Sequence, residues 1–223
     1  MTSSLRHPAL VLATLAVMSG SLGTYAQGPG FGEAPHLGAY MMLTGVWFGL
    51  VVALGVWLWG NRSARAAATA LVATWVGWES AVNLAMQIDQ HLHNVIITSG
   101  AITLCVSGMC AGALGAFATW AGVALVTPML RQTWLALDIA SAGALLGPLL
   151  QLSNHYDNAA FLLLPWQIAV ATLLGFGLAP ACQSAIDARQ ERSISFVRTR
   201  DEDSDERWRL ENCAILRRER SNT

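Results

Sequence analysis

The sequence predicts an all-α fold, a polytopic transmembrane helical bundle of six spans. Only 12% of its 223 residues are charged and 54% are hydrophobic, whereas a soluble domain carries about 25% charged residues. The apolar residues gather into runs near the roughly 20 residues that cross a bilayer. Charge is segregated, because nine of the 13 Arg and nine of the 14 acids follow residue 186. We therefore expect a membrane-embedded bundle over residues 1–186 and a charged, disordered tail over residues 187–223.

The first apolar segment, from about His7 to Ala26, has two interpretations. A leading Arg6, an apolar middle and small residues before a possible cut after Ala26 are also the features of a cleavable signal peptide. A retained first helix is favoured here, and five spans remain if the segment is cleaved. A loop rich in Gly and Pro follows, from Gln27 to Pro35.

Five further spans are predicted from the remaining apolar runs. Small residues in the fourth span, Gly108, Gly112 and Gly115, favour close contact with partner helices, since lipid gives helices no hydrophobic reason to associate. Gly147-Pro148 in the fifth span predicts a kink. These five spans run from about Leu37 to Trp59, Ala66 to Ile88, Val95 to Val126, Trp134 to Leu152, and Ala159 to Ile186.

The positions of the Arg residues predict the orientation. With six alternating spans, Arg6, Arg62, Arg65, Arg131 and the tail all fall on one side of the membrane. Positively charged residues stay on the cytoplasmic side, so both ends are expected in the cytosol and the histidine-bearing turns outside or in a lumen. The lipid bilayer is the expected partner, and nucleic acid is not expected at a net charge of −1.

A polar stripe in the third span is the first candidate site, for an ion or a small ligand. Its members recur at spacings of three and four, which places them on one helical face. A carboxylate near mid-membrane costs on the order of 2.5–3.5 kcal/mol to insert and commonly serves an ion, a proton or a ligand. A structural hydrogen bond is the alternative. Asp138, about one turn inside the cytoplasmic boundary, is the second candidate carboxylate. The stripe comprises Glu79, Asn83, Met86, Gln87 and Gln90.

A metal or heme site at the outer face is the second candidate. Asp89 and His93 stand four residues apart and share a face if the third helix extends that far. His155 and Asp157 follow the fifth span on the same side. Such a set suits zinc, copper or iron, and His93 with His155 supplies an axial pair for heme. The alternative is ordinary polar residues at a membrane surface, because no fixed metal-ligand spacing is present. No cofactor is the first expectation.

Sequence motifs for catalysis are absent. The chain contains no phosphate-binding loop, no G-x-S-x-G and no H-E-x-x-H, and it has no Lys to form a retinal Schiff base. We therefore expect a non-enzymatic membrane protein whose polar stripe binds a small ligand, a lipid or an ion. The alternatives are a membrane redox or metal-handling protein, and an assembly subunit that contacts other chains through its Gly-rich fourth span.

Several short runs resemble the transmembrane protein 45 family, the domain of unknown function 716. The main one is Asp89-Gln90-His91-Leu92-His93, followed in the next helix by Cys105-Val106-Ser107. The resemblance implies a multi-pass protein of a eukaryotic endomembrane or the plasma membrane, without an established catalytic activity, and a lumenal Asp89–His93 corner. The family has seven spans, and its last helix carries His where Gln167 stands here. The weaker similarities are His36-Leu37-Gly38-Ala39-Tyr40-Met41, Asp157-Asn158-Ala159 and Trp166-Gln167.

Overall fold

A computed structural model describes residues 7–26, 33–34, 39–40, 44–60, 62–95 and 100–179. Within these ranges the chain is helical apart from one pair of two-residue strands and short connections, which confirms the all-α prediction. The tail predicted over residues 187–223 lies outside them. In chain order the elements are α1 (Pro8–Ala26), β1 (Glu33–Ala34), β2 (Ala39–Tyr40), α2 (Thr44–Trp59), α3 (Ala64–Val95), α4 (Gly100–Val126), a 3-10 turn (Pro128–Leu130), α5 (Thr133–Leu146), α6 (Leu149–His155) and α7 (Ala160–Ala179).

Among the described residues, four helical stretches are long and apolar enough to cross a membrane. They are α1, α4, the continuous pair α5–α6, and α7. Helix α2 is equally apolar but has only 16 residues, and α3 has 32 residues and carries the polar stripe. A helix pairs its backbone N–H and C=O groups within itself, which is required in lipid because lipid offers them no hydrogen-bond partners. The chain is therefore an integral membrane protein built as a helical bundle.

Two helix boundaries differ from the predictions. Helix α2 begins at Thr44, not near Leu37, because Ala39–Tyr40 pairs antiparallel with Glu33–Ala34 and the strand pairing replaces helical hydrogen bonds there. Helix α3 continues to Val95. The polar stretch predicted as a corner forms its last two turns, since that stretch contains no Gly or Pro to end a helix.

Facing glycines allow the backbones of α4 and α5 to come into direct contact. A Cβ added at Gly112 would overlap the carbonyl oxygen of Gly143, and one added at Gly143 would overlap that of Gly112. Gly108 and Gly147 have the same reciprocal relation one turn away. The third glycine predicted to make close contacts, Gly115, faces Ala81 of α3 and Trp166 of α7. The predicted close contacts thus form within the chain itself, and an assembly role would have to use another face.

The predicted kink at Gly147-Pro148 is the break between α5 and α6. Pro148 has no N–H to donate to the carbonyl of Ala144. The N–H of Gly147 instead donates to the carbonyls of Gly143 and Ala144, at 3.0 and 3.3 Å. Just beyond the break, the thiol of Cys105 donates to Gln151 Oε1 at 3.2 Å and ties α6 back to α4. The two short helices therefore form one stretch long enough to span, with its helical hydrogen bonding interrupted at Gly147-Pro148.

Contacts between helix ends identify the end of the bundle that carries Arg131. A Cβ at Gly175 near the end of α7 would meet the backbone of Ala9 near the start of α1. Gly60, which follows α2, lies beside Thr127, which follows α4. Arg131 donates to the carbonyls of Ala124 and Leu125 at the end of α4. The chain thus returns to the Arg-bearing end after each pair of helices, as an alternating topology requires.

We predict that Gly112→Ala destabilises the bundle, whereas Gly100→Ala does not. The new methyl group at residue 112 meets the Gly143 carbonyl, and overpacking of this kind costs about 1–3 kcal/mol. At Gly100, the first residue of α4, nothing lies within 4 Å of an added Cβ. Thermal unfolding of both variants in detergent measures the difference. Equal melting temperatures would show that the α4–α5 contact adjusts without cost.

Candidate functional site

An apolar cavity of about 220 Å³ lies among four helical elements, α3, α4, α5–α6 and α7. Its volume exceeds the engineered cavity of about 150 Å³ that binds benzene in another protein. Nearly all of its surface is hydrocarbon, with one hydroxyl among the side chains of the wall. The lining residues are Trp78, Ala81, Val82, Ala85, Met86, Gly108, Ala111, Gly112, Gly147, Leu150, Ser153, Ala159, Leu162, Leu163 and Trp166.

Two Trp rings form the deep end of this cavity. Trp78 and Trp166 meet edge to face with centroids 5.3 Å apart, and Phe48 of α2 packs edge to face on Trp166 at 5.6 Å. The indole N–H of Trp166 donates weakly to the carbonyl of Gly112 at 3.4 Å. The indole N–H of Trp78 is buried and has no hydrogen-bond partner among the described residues. Rigid rings thus close the cavity towards α2.

Small residues create the space in front of these rings. The walls contributed by α3 and α4 carry Ala81, Ala85, Ala111 and Gly112, which reach only a short way into the gap. Gly147, at the break between α5 and α6, adds no side chain to the wall either. A void of this kind leaves its lining atoms without van der Waals partners on one side. Three of the glycines that hold α4 against the end of α5, Gly108, Gly112 and Gly147, thus also line the cavity.

A polar vestibule adjoins the cavity at the end of the bundle away from Arg131. Ser153 and Ala159 line both spaces. The vestibule is open, and its wall comes from the end of α1, the end of α6 and the start of α7. The described residues that line it are Ser21, Thr24, Tyr25, Ser153, Asn154, Asp157, Asn158, Ala159, Ala160 and Leu164.

The predicted polar stripe lies on a different face of α3. The indole N–H of Trp75 donates to Glu79 Oε1 at 3.0 Å, and Asn83 Nδ2 donates to the Glu79 carbonyl at 2.8 Å. Glu79 and Asn83 are half-buried and Gln87 is exposed. Met86 alone of the stripe lines the cavity. The hydrogen bonds match the structural alternative for Glu79, and an ion or ligand at the stripe stays a prediction.

The remaining candidate residues lie at the two ends of the bundle. Asp138 is exposed on α5. Asp89 is half-buried, and His93, His155 and Asp157 are exposed. Within the part of the chain that the structure describes, no group of three or more His, Cys, Asp or Glu side chains is close enough to hold a metal ion. The metal or heme interpretation stays a prediction.

The cavity and its vestibule are the features that the sequence interpretation missed. The cavity is an absence of atoms among apolar residues, and no motif marks it. The available signal was the small face of α3, with Gly77, Ala81 and Ala85 at helical spacing, opposite the small residues of α4. Such a face predicts close helix packing, and only the structure shows that a cavity remains there.

Comparison of the chain with known protein families, curated proteins and solved structures finds no match.

We predict that Glu79→Gln keeps the stability of the protein and Glu79→Leu lowers it. Gln retains an oxygen that accepts from Trp75, whereas Leu leaves the indole N–H without that acceptor. Loss of one partner of a buried hydrogen bond costs about 1–3 kcal/mol. Thermal unfolding in detergent distinguishes the two. If Glu79→Gln loses as much stability as Glu79→Leu, the charge itself is required and the stripe is more than a hydrogen-bonded support.

Proposed function

We propose that this chain is a non-enzymatic, six-span membrane protein that binds a small apolar molecule or a lipid chain in the cavity in front of Trp78 and Trp166. The observation that carries the proposal is the cavity itself, about 220 Å³ with an almost wholly apolar wall. Clefts of this kind, closed by aromatic rings and lined by hydrocarbon, are where proteins bind small apolar ligands. With all six spans in the bilayer, as proposed, the cavity lies within the membrane, where such ligands are concentrated.

The packing energy of the bundle supports a filled cavity. Unfilled core volume costs about 24 cal/mol per Å³ in a soluble protein. For about 220 Å³, that rate gives on the order of 5 kcal/mol, an upper value because the cavity is partly open. A ligand that enters from lipid gains little hydrophobic free energy, since it leaves one apolar medium for another. It gains van der Waals contacts with the cavity wall instead, so its shape decides its affinity.

A diazirine-bearing alkane tests the binding site without assuming a head group. The protein is reconstituted in phosphatidylcholine nanodiscs, irradiated with the probe, and mapped by mass spectrometry. We expect labels on cavity residues in addition to the lipid-facing residues of every span. Ala111→Leu, which fills the cavity from α4, should remove the cavity labels and keep the others.

Ala113→Leu is the matched control for this experiment. It makes the same substitution two residues along α4, at a half-buried position that does not line the cavity. It should leave all labels in place. The proposal fails if cavity residues stay unlabelled in the natural protein, or if Ala113→Leu removes the cavity labels as completely as Ala111→Leu.

The six-span count depends on α1, α2 and α3, because composition alone does not decide whether these three helices are retained spans. Their packing supports the count. Helix α1 buries Leu12 and Ala16, which are 2% and 0% exposed, and this burial supports a retained first span. Helix α2 buries Phe48 completely, and α3 packs along both α2 and α4. With all six spans in the bilayer, the Arg-bearing end faces the cytosol.

Cysteine labelling tests this topology. In a variant with the four native cysteines replaced by Ser, Ser63→Cys reports the Arg-bearing end and Asn154→Cys reports the vestibule end. We expect an impermeant maleimide to label Asn154→Cys from outside sealed cells, or from the lumen of an organelle. Ser63→Cys should react only after permeabilisation. Labelling of both positions from the same side would contradict the alternating topology.

A further inference from the structure

The cavity and the vestibule together have the shape of a site for an amphiphile. One space is apolar and lies inside the bundle, the other is polar and open, and Ser153 and Ala159 border both. From Ala159 to Trp166 the cavity follows α7 for seven residues, about 10 Å at 1.5 Å per residue. A single alkyl chain of medium length matches such a depth.

The hydroxyl groups of the vestibule offer hydrogen-bond acceptors. Ser21 Oγ donates its proton to the carbonyl of Val17 at 2.8 Å, and Thr24 Oγ1 donates to that of Gly20 at 2.8 Å. Both hydroxyl protons are used within α1, and the oxygen lone pairs remain for a ligand. Asn158 has the opposite character, because its Oδ1 accepts from the N–H of Ala160 at 2.9 Å and its amide protons remain.

The described residues of the vestibule carry one charge, which is negative. It belongs to Asp157, the one charged side chain among the described residues that line this space. Its backbone lies in the left-handed region, at φ 49°, a conformation that Asp and Asn tolerate better than other residues with side chains. The turn between α6 and α7 therefore holds a carboxylate in the vestibule, two residues before Ala159, which borders the cavity. Tyr25, which is 91% exposed, adds an aromatic face to the same wall, and such a face attracts cations.

We infer that the ligand is a single-chain amphiphile with a cationic head, of the long-chain amine class. Its alkyl chain occupies the cavity in front of Trp166, and its ammonium group donates to Asp157 and to the hydroxyl oxygens of Ser21 and Thr24. A fatty acid brings its carboxylate towards Asp157 and is disfavoured. A long-chain alcohol fits the cavity but lacks the charge. This inference rests on the proposed function, since it assigns the head group of the ligand that the cavity takes.

Competition among matched amphiphiles tests the head group. A diazirine-bearing alkylamine labels the reconstituted protein, and decylamine, decanol and decanoic acid compete at equal concentrations in the membrane. The pH is one at which the amine is protonated and the acid ionised. We expect decylamine to suppress cavity labelling at least tenfold more effectively than decanoic acid, with decanol between them. In Asp157→Asn, decylamine should suppress cavity labelling no more effectively than decanol.

Asp157→Glu is the matched control, because it keeps the charge at the same position, whereas Asp157→Asn removes the charge and keeps the tolerance for the left-handed backbone. Asp157→Glu should retain the preference for the amine. Equal competition by all three amphiphiles, or an amine preference that survives Asp157→Asn, overturns the cationic head. If the diazirine alkane still labels the cavity in that case, the proposed function stands and only the head group is wrong. If neither probe labels the cavity, both proposals fail.

Discussion

The contact between the backbones of α4 and α5 is the constraint on which the rest of the bundle depends. Gly108 and Gly112 of α4 lie against the backbones of Gly147 and Gly143, at the end of α5. No side chain therefore separates the two backbones there. Lipid offers no hydrophobic reason for such an approach, and van der Waals contact has to supply it. Because a single added methyl group overlaps a carbonyl oxygen, the register of the two helices is set at this point.

The cavity lies beside that contact. Gly108, Gly112 and Gly147 belong to the glycine contact and also line the cavity, so the tightest packing and the open volume share residues. The break in helical hydrogen bonding before α6 falls at Gly147 as well. Small residues of α3 and α4 face the cavity, and Trp78 and Trp166 complete its wall.

The sequence predicted the helices of this protein better than their connections. Apolar length and a near absence of charge were sufficient to predict the helices α1, α4, α5–α6 and α7, in which Asp138 is the one Asp, Glu, Lys or Arg, because a span is recognised by its length and composition. The start of α2 was wrong because strand pairing at Ala39–Tyr40 is a tertiary event. The end of α3 was misplaced because polar residues from Asp89 onward suggested a turn, although polar residues continue a helix readily once it leaves the apolar region.

The candidate site was only partly accessible to sequence reasoning, for a physical reason. Polar residues in an apolar helix are conspicuous, so the stripe containing Glu79 attracted the functional interpretation. In the structure its carboxylate accepts from Trp75 on the same helix, a contact between neighbours four residues apart that any isolated helix can make. The cavity depends on residues from four elements, including Gly147 and Trp166, whose proximity the spacing along the chain does not encode.

Two side chains at the contact between α1 and α7, Ser19 and Gln167, are buried with polar atoms that lack a hydrogen-bond partner among the described residues. Gln167 is 0% exposed, and neither atom of its amide has a hydrogen-bond partner among the described residues; the hydroxyl of Ser19 is also buried without one. A Cβ added at Gly20 would lie 3.5 Å from Gln167 Oε1, so α1 packs directly on this amide. Burying such groups unpaired costs about 1–3 kcal/mol each. The α1–α7 contact therefore contributes less net stability than its apolar area suggests, and α1 also supplies one wall of the vestibule. Among the described residues, the contact between α1 and α7 carries three unpaired buried polar atoms, and both helices line the polar vestibule, whereas the glycine contact between α4 and α5 borders the apolar cavity.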